Sequence, residues 1–198
     1  AAAYPEKPIK IIVPFGPGGG GDTNAQLFKR ALEENKILSQ PTVIVHVPGA
    51  GGNIGAKRAL GEKPDGYTYL QTIVNLASNQ ALGNIDFGPA DFVPVAAAGD
   101  SCIVISVMES SPYKSLKQLL EAAKGKPDTI SLGINIGGIN HITARMMEEA
   151  YSGAKFRMAN VGGGAKNFAS LVGGHTQTTP FSAADFTRFR VKGIRGLA

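Results

Sequence analysis

Residues 9–22 read IKIIVPFGPGGGGD. Apart from Lys10, the first five are β-branched and apolar, and Pro14 breaks the run, so Ile9–Val13 reads as a short buried strand. Pro14 to Gly21 is a glycine-rich turn. Asp22 and Thr23 are residue types that cap helices, and Thr23 with Gln26 has capping-box spacing. A helix is expected next, with Phe28, Ala31 and Leu32 on its buried face. The stretch is therefore a strand, a glycine turn and a helix.

That unit recurs along the chain. TVIVHV (42–47) runs into PGAGGN (48–53) and a helix from about Ile54 to Leu60. Pro64-Asp65-Gly66 is a turn before a strand at Tyr67–Thr72. Residues 84–94 suit a connector, and Val95–Ala98 and Ile103–Val107 read as strands. Ser115–Lys124 is a helix with Leu116, Leu119, Leu120 and Ala123 on one face. Thr129–Leu132 is a strand leading into GINIGGINH (133–141) and a helix as far as Tyr151. Phe156–Ala159, VGGGAKN (161–167) and a helix at Phe168–Leu171 form the fourth unit. A strand, a helix and a strand close the chain between Thr176 and Leu197. Strands alternating with helices imply an α/β fold with parallel sheets. The connector places a first lobe at 1–98 and a second at 99–198.

Composition sets the outer bounds. The 198 residues include 26 glycines, about 13% against a usual ~7%. Hydrophobic residues make up 43%, enough for a packed core, which argues against disorder. The glycines have no G-X-Y period, and no apolar run approaches the ~18–20 residues of a membrane span. Trp is absent and aromatics are 7%, which argues against a stacking surface for single-stranded nucleic acid. Net charge is +5, but the basic residues are scattered, so no nucleic-acid partner is expected. Cys102, the single cysteine, lies in the run CIVISV and is expected to be an inert core thiol. The opening AAAYPEKP has neither the charged nor the apolar region of a signal peptide; its small alanines resemble what cleavage leaves behind.

More than half of the glycines fall in the four turns. Ligands of open α/β sheets bind outside the carboxyl ends of strands, where such turns lie. Glycine lets a ligand approach the backbone, and the following helix offers unpaired N–H groups and the positive end of its dipole. An anion site built from backbone donors is the physical expectation.

The choice of anion can be narrowed. Gly16, Gly18 and Gly21 match the dinucleotide fingerprint G-x-G-x-x-G, and a dinucleotide-binding enzyme is the alternative reading. Against it, Pro17 lacks one N–H, and no acidic residue ends the second strand. Asp22-Thr23 replaces the Lys-Ser/Thr of a P-loop. A carboxylate fits better than a nucleotide phosphate. No nucleophile elbow, H-E-x-x-H motif or histidine set with metal-ligand spacing is present, so neither catalysis nor a cofactor or metal is expected. His46 reads as a packed or surface histidine. His141, opening a helix after a glycine turn, is a candidate ligand donor. Glu33-Glu34 and Glu148-Glu149 read as solvated helix faces, and Arg145 as a structural residue or a counter-ion.

YPEKPIKIIVPFGPGGGGD (4–22), VPGAGGNIGAKRAL (47–60) and KPDGYTYL (63–70) resemble the opening of tripartite tricarboxylate transporter substrate-binding proteins, the Bug family. SPYKSLKQLLEAAKGKPDTISLG (111–133), LVGGH (171–175) and VKGIRGLA (191–198) continue the resemblance in order. It implies a two-lobed periplasmic-binding-protein-like fold of type II, with parallel-rich sheets and flanking helices. It also implies a periplasmic receptor, without catalysis, that closes on a small di- or tricarboxylate or aromatic acid and delivers it to a membrane permease.

In that family, backbone groups of the two loops of the first lobe hold one ligand carboxylate. By motif match these are Phe15, Gly16, Pro17, Gly18, Gly19 and Asp22, then Ala50 and Gly51. The loop after the third strand, Val74-Asn75-Leu76-Ala77, is expected to face the ligand. The second lobe is expected to supply Asn135, Gly137, Gly138, Asn140 and His141, then Asn160, Gly162 and Gly163. The chain departs from the family at Val47, where Arg is frequent. It departs again at Asn135, Ile136 and Asn140 in a turn usually rich in serine, at Asn160 for Tyr and at Gln177 for Asp. Family members are longer, and their chain returns to complete the first lobe. The resemblance therefore implies a first-lobe core left open and apolar surface exposed.

Overall fold

The structure, a computed structural model, describes residues 4–97, 99 and 102–198. The chain forms two compact units, Ala1–Gly99 and Asp100–Ala198.

In the first unit, β1 (Ile9–Val13) is the central strand of a three-stranded sheet. It pairs in parallel with β2 (Thr42–His46) on one side and β3 (Thr68–Leu70) on the other. Ile11, Ile12 and Val13 are buried, as the centre of a sheet covered on both faces requires. The glycine turn leads into α1 (Gly20–Glu34). A 3-10 turn at Ala50–Gly52 leads into α2 (Asn53–Leu60), and α3 (Asn75–Ala81) follows β3.

Several expectations change here. Thr23 does not cap α1. The helix begins earlier because Gly19 takes the extended cap conformation, with no side-chain cap bond. Of the α1 side chains only Ala25 is fully buried. Leu27 and Phe28 stay 55% and 42% exposed, Ala31 is exposed and Leu32 is half-buried. The apolar spacing on α1 is real, but this narrow sheet packs only its Ala25 side. Val74–Ala77 is not a loop: it is the start of α3, whose Leu76 packs with Ala56 and Phe87. Val95–Ala97 forms no strand, and Ala98 lies outside the described residues.

The second unit opens with β4 (Ile103–Met108) and α4 (Leu116–Gly125). The Ser115 side chain caps α4 by accepting the Gln118 N–H at 3.3 Å. β5 (Ser131–Ile134), α5 (Ile139–Ala150), β6 (Arg157–Asn160) and α6 (Gly164–Val172) follow. β7 (Thr179–Ser182), α7 (Ala183–Phe189) and β8 (Ile194–Gly196) complete it. β5 and β6 pair in parallel, but β4 lies antiparallel between β7 and β8. Apolar runs such as IVISVM look alike in either direction, so alternation alone does not set strand polarity. The main core groups Leu119, Ala123, Leu132, Ala144 and Phe156 with their neighbours.

Two single residues also differ from expectation. Cys102 is exposed, not a core thiol, because it lies one residue ahead of β4. Glu148 is buried rather than solvated. It accepts the Phe156 N–H at 2.8 Å and pairs with Arg145 at 2.9 Å and Lys155 at 3.7 Å, which makes Arg145 structural. Among the described residues, no helix is long and apolar enough to cross a membrane.

Candidate functional site

The glycine turns of the first unit converge at the carboxyl end of its sheet. β1 and β2 run in register, with Val13 opposite His46, so the two turns leave the sheet side by side. Phe15 separates them. A Cβ on Gly21 would lie 3.0 Å from its ring, and one on Gly52 3.3 Å, so both glycines let the backbone approach the ring. Gly55 plays the same part for α2, where a Cβ would fall 2.7 Å from the Val47 carbonyl. The carbonyl of Gly51 accepts the Asn75 Nδ2 amide at 3.0 Å, which ties the second turn to α3.

Donors dominate this end. Neither Gly19, ahead of α1, nor Gly52, ahead of α2, receives a side-chain cap. The first-turn N–H groups of α1 therefore have no intrahelical acceptor, whereas the Asn53 N–H that opens α2 bonds the Ala50 carbonyl of the 3-10 turn. Asp22 is the resident charge. Its Oδ2 accepts the Gly18 N–H at 2.8 Å, and its Oδ1 lies 2.9 Å from His46 Nε2. Burial alone would raise the Asp22 pKa, but the bonds from Gly18, His46 and Gln26 outweigh it and hold the carboxyl below its usual value. Two acceptors sit nearby, since Gln71 Oε1 and Asn75 Oδ1 are buried without a protein hydrogen-bond partner.

The corresponding turns of the second unit are organised differently. Asn140 Oδ1 accepts the N–H groups of Asn135, at 3.1 Å, and His141, at 3.0 Å. Asn160 Oδ1 accepts the Ile136 N–H at 3.2 Å, and His141 Nδ1 accepts that of Gly137 at 3.2 Å. The Gly138 N–H bonds the Asn135 carbonyl at 2.8 Å. This turn thus bonds the N–H groups of residues 135–138 within itself, although α5, like α1, has no side-chain cap on its first turn. With Nδ1 accepting, neutral His141 carries its proton on Nε2. Burial first, and Arg145 second, lower its pKa against a raising effect of Glu148, so the ring is neutral at pH 7. In the last turn, Asn167 Nδ2 bonds the Gly162 carbonyl, and Gly164 packs against the buried Asp185 carboxylate. A resident anion already stands at the start of α6. Among the described residues, no group of three or more His, Cys, Asp or Glu is placed to hold a metal ion.

The family described as the tripartite tricarboxylate transporter family receptor matches residues 28–192. The chain belongs to that family. Protein BugT of Bordetella pertussis is 31% identical over 179 residues, which cover 88% of this chain and 54% of BugT. A solved structure titled as a periplasmic transporter superposes with a TM-score of 0.88 at 30% identity, covering 99% of this chain and 66% of its own. MatC from Rhodopseudomonas palustris, solved with bound malate, superposes at 0.86 over 98% of this chain and 67% of its own. At 20% identity MatC is a match of fold alone. The chain spans about half the length of the curated relatives it matches.

In this family member, the residues expected from sequence fall into distinct places. Phe15, Gly16, Pro17, Gly18 and Gly19 form the turn between β1 and α1, with Asp22 in the first turn of α1. Ala50 and Gly51 lie in the 3-10 turn beside them. Asn75 joins this group, whereas Leu76 belongs to the core. Asn135, Gly137, Gly138, Asn140 and His141 share one hydrogen-bonded turn with Asn160. Gly162 and Gly163 precede α6. Sequence reasoning missed the roles of His46, Asn167 and Asp185. For His46 a signal existed: as the last residue of β2 it stands beside the first glycine turn. Asp185 had none, because it reaches Gly164 only through tertiary packing.

Proposed function

We propose that this chain is the ligand-holding part of a periplasmic receptor for a small organic carboxylate. The observation that carries the reading is the start of α1 behind Gly19, which no side chain caps, beside the glycine turn that leads into α2 at the same sheet end. Backbone N–H groups there suit one carboxylate of the ligand. Family membership and the malate bound in MatC support the same class. The buried acceptors Gln71 Oε1 and Asn75 Oδ1 suit a hydroxyl or a water close to that carboxylate. In the second unit, Asn135, Asn140, Asn160 and His141 gather neutral polar groups at their own glycine turn. Capture of the acid without chemistry and delivery to a membrane permease of the tripartite class complete the proposal.

Calorimetric titration of the protein with malate, adipate, citrate and an aromatic acid tests this reading. Binding of at least one acid in the micromolar range is expected, with weak salt dependence because backbone donors make most of the contact. Absence of binding across the panel would overturn it.

A further inference from the structure

His46 ends β2 opposite Val13, the residue after which the first glycine turn begins. Its Nε2 lies 2.9 Å from Asp22 Oδ1, while the other oxygen of the same carboxylate accepts the Gly18 N–H at 2.8 Å. The side chains of His46 and Asp22 are 25% and 14% exposed, so the contact is shielded enough for its geometry to matter. Gly18 has φ +78, a left-handed conformation that reverses the chain just before α1. Asp22 is the third residue of α1, the position from which an acidic side chain ordinarily reaches back to the N–H of the cap residue. Here that residue is Gly19, and the carboxylate instead reaches one residue further, to Gly18.

We propose that His46 is a positioning residue for the anion subsite: it holds the Asp22 carboxylate on Gly18 and keeps it off the helix-start N–H groups that a ligand carboxylate would use. The turn needs such a device because it carries its own competitor. A carboxylate in the first turn of a helix is attracted to the same N–H groups and the same dipole as a bound anion. A second bond from β2 on Oδ1 fixes the rotation of that carboxylate. Without it, Asp22 would be free to take the capping position on Gly19 and occupy the subsite. The effect on ligand affinity rests on the proposed function; the effect on the turn does not.

The test uses His46→Leu, His46→Gln and Asp22→Asn, each followed by two readouts. The first is the Gly18 amide in 15N-resolved NMR, read without ligand. His46→Leu should move this resonance and speed its exchange roughly tenfold, the loss of about one charge-assisted hydrogen bond. His46→Gln, whose Nε2 reaches a similar distance, should restore both. Asp22→Asn, which weakens the Gly18 bond from the other end, should displace the same resonance. The second readout is malate affinity by calorimetry, expected to fall roughly tenfold in His46→Leu and to stay within about threefold in His46→Gln. An unchanged Gly18 amide in His46→Leu, or a Gln variant that behaves like Leu, overturns the proposal. If the Gly18 amide responds as expected while no acid binds the parent protein, the carboxylate-receptor reading fails and the role of His46 in the turn stands.

Discussion

In the second unit the buried apolar side chains around Leu119, Leu132 and Phe156 form one large cluster, with a second behind Phe181 and Phe189. In the first unit they form two small groups, Ile11, Val13 and Ala25 in one, Ala56, Leu76 and Phe87 in the other. Exposure runs the opposite way. Among the described residues, Leu27, Phe28, Ile37, Val43, Ile54 and Leu82 are among the exposed large apolar side chains of the first unit, while the second exposes only Ile136, Met146, Val172 and Val191. The first unit therefore exposes more large apolar side chains than the second among the described residues. At the glycine turns, none of the four helix starts has a side-chain cap, but Asn140 and Asn160 accept N–H groups of the turn before α5, while Asp22 accepts that of Gly18 before α1.

Several measurements would break or sharpen this contrast. The largest effect is expected in the cores. Leu132→Ala should destabilise by ~3 kcal/mol in urea denaturation, while Phe28→Ala should cost under about 1 kcal/mol. Equal costs would mean that α1 is as well packed as the second core. Glu148→Gln comes next. It removes the charge that pairs with Arg145 and Lys155, and should cost ~2 kcal/mol. A neutral outcome would show that this buried carboxylate contributes nothing to the second unit. Hydrogen exchange should then find β2 and β3 opening at least about tenfold more readily than β4 and β5.

The smallest effects are the titrations. The folded-state pKa of Asp22 lies below its unfolded value, so its stabilising contribution is present above about pH 4 and is lost as pH falls through the folded value. Asp22→Asn should abolish that part of the acid dependence of stability in the first unit. His141 also has a lowered pKa; its contribution is present above about pH 6.5 and is lost as pH falls below it. An Nε2–H tautomer in 15N NMR at pH 7 would support the Gly137 bond, and an Nδ1–H tautomer would remove it.

Much of the fold was legible. IKIIV reads as a strand because four β-branched apolar residues among five before a Pro have few alternatives, and the structure places β1 on those same residues. LKQLLEAAKG reads as a helix because its Leu and Ala spacing matches a face that the second core covers. Phe28 shows the limit of the same argument: α1 has the spacing, but only the sheet beneath it decides whether a partner exists. Thr23 shows another. Capping-box spacing is present, yet a run of glycines lets the helix start sooner, with Gly19 extended. At the site, the positions of the turns were legible, but not the state of their N–H groups. Asn140, Asn160 and His141 were expected to face a ligand, and all three also cap their own turn.

By itself the sequence determined where strands end, where glycine frees the backbone and which helices begin there, because these are local consequences of side-chain shape and backbone freedom. It also carried the family, since PFGPGGGGD and PGAGGN are contiguous motifs. Only the tertiary structure decided strand polarity around β4, the exposure of α1, the burial of Glu148 and the contact between His46 and Asp22. Each depends on residues far apart in the chain, and hydrogen-bond satisfaction is a property of what lies within about 3 Å in space rather than of spacing along the sequence.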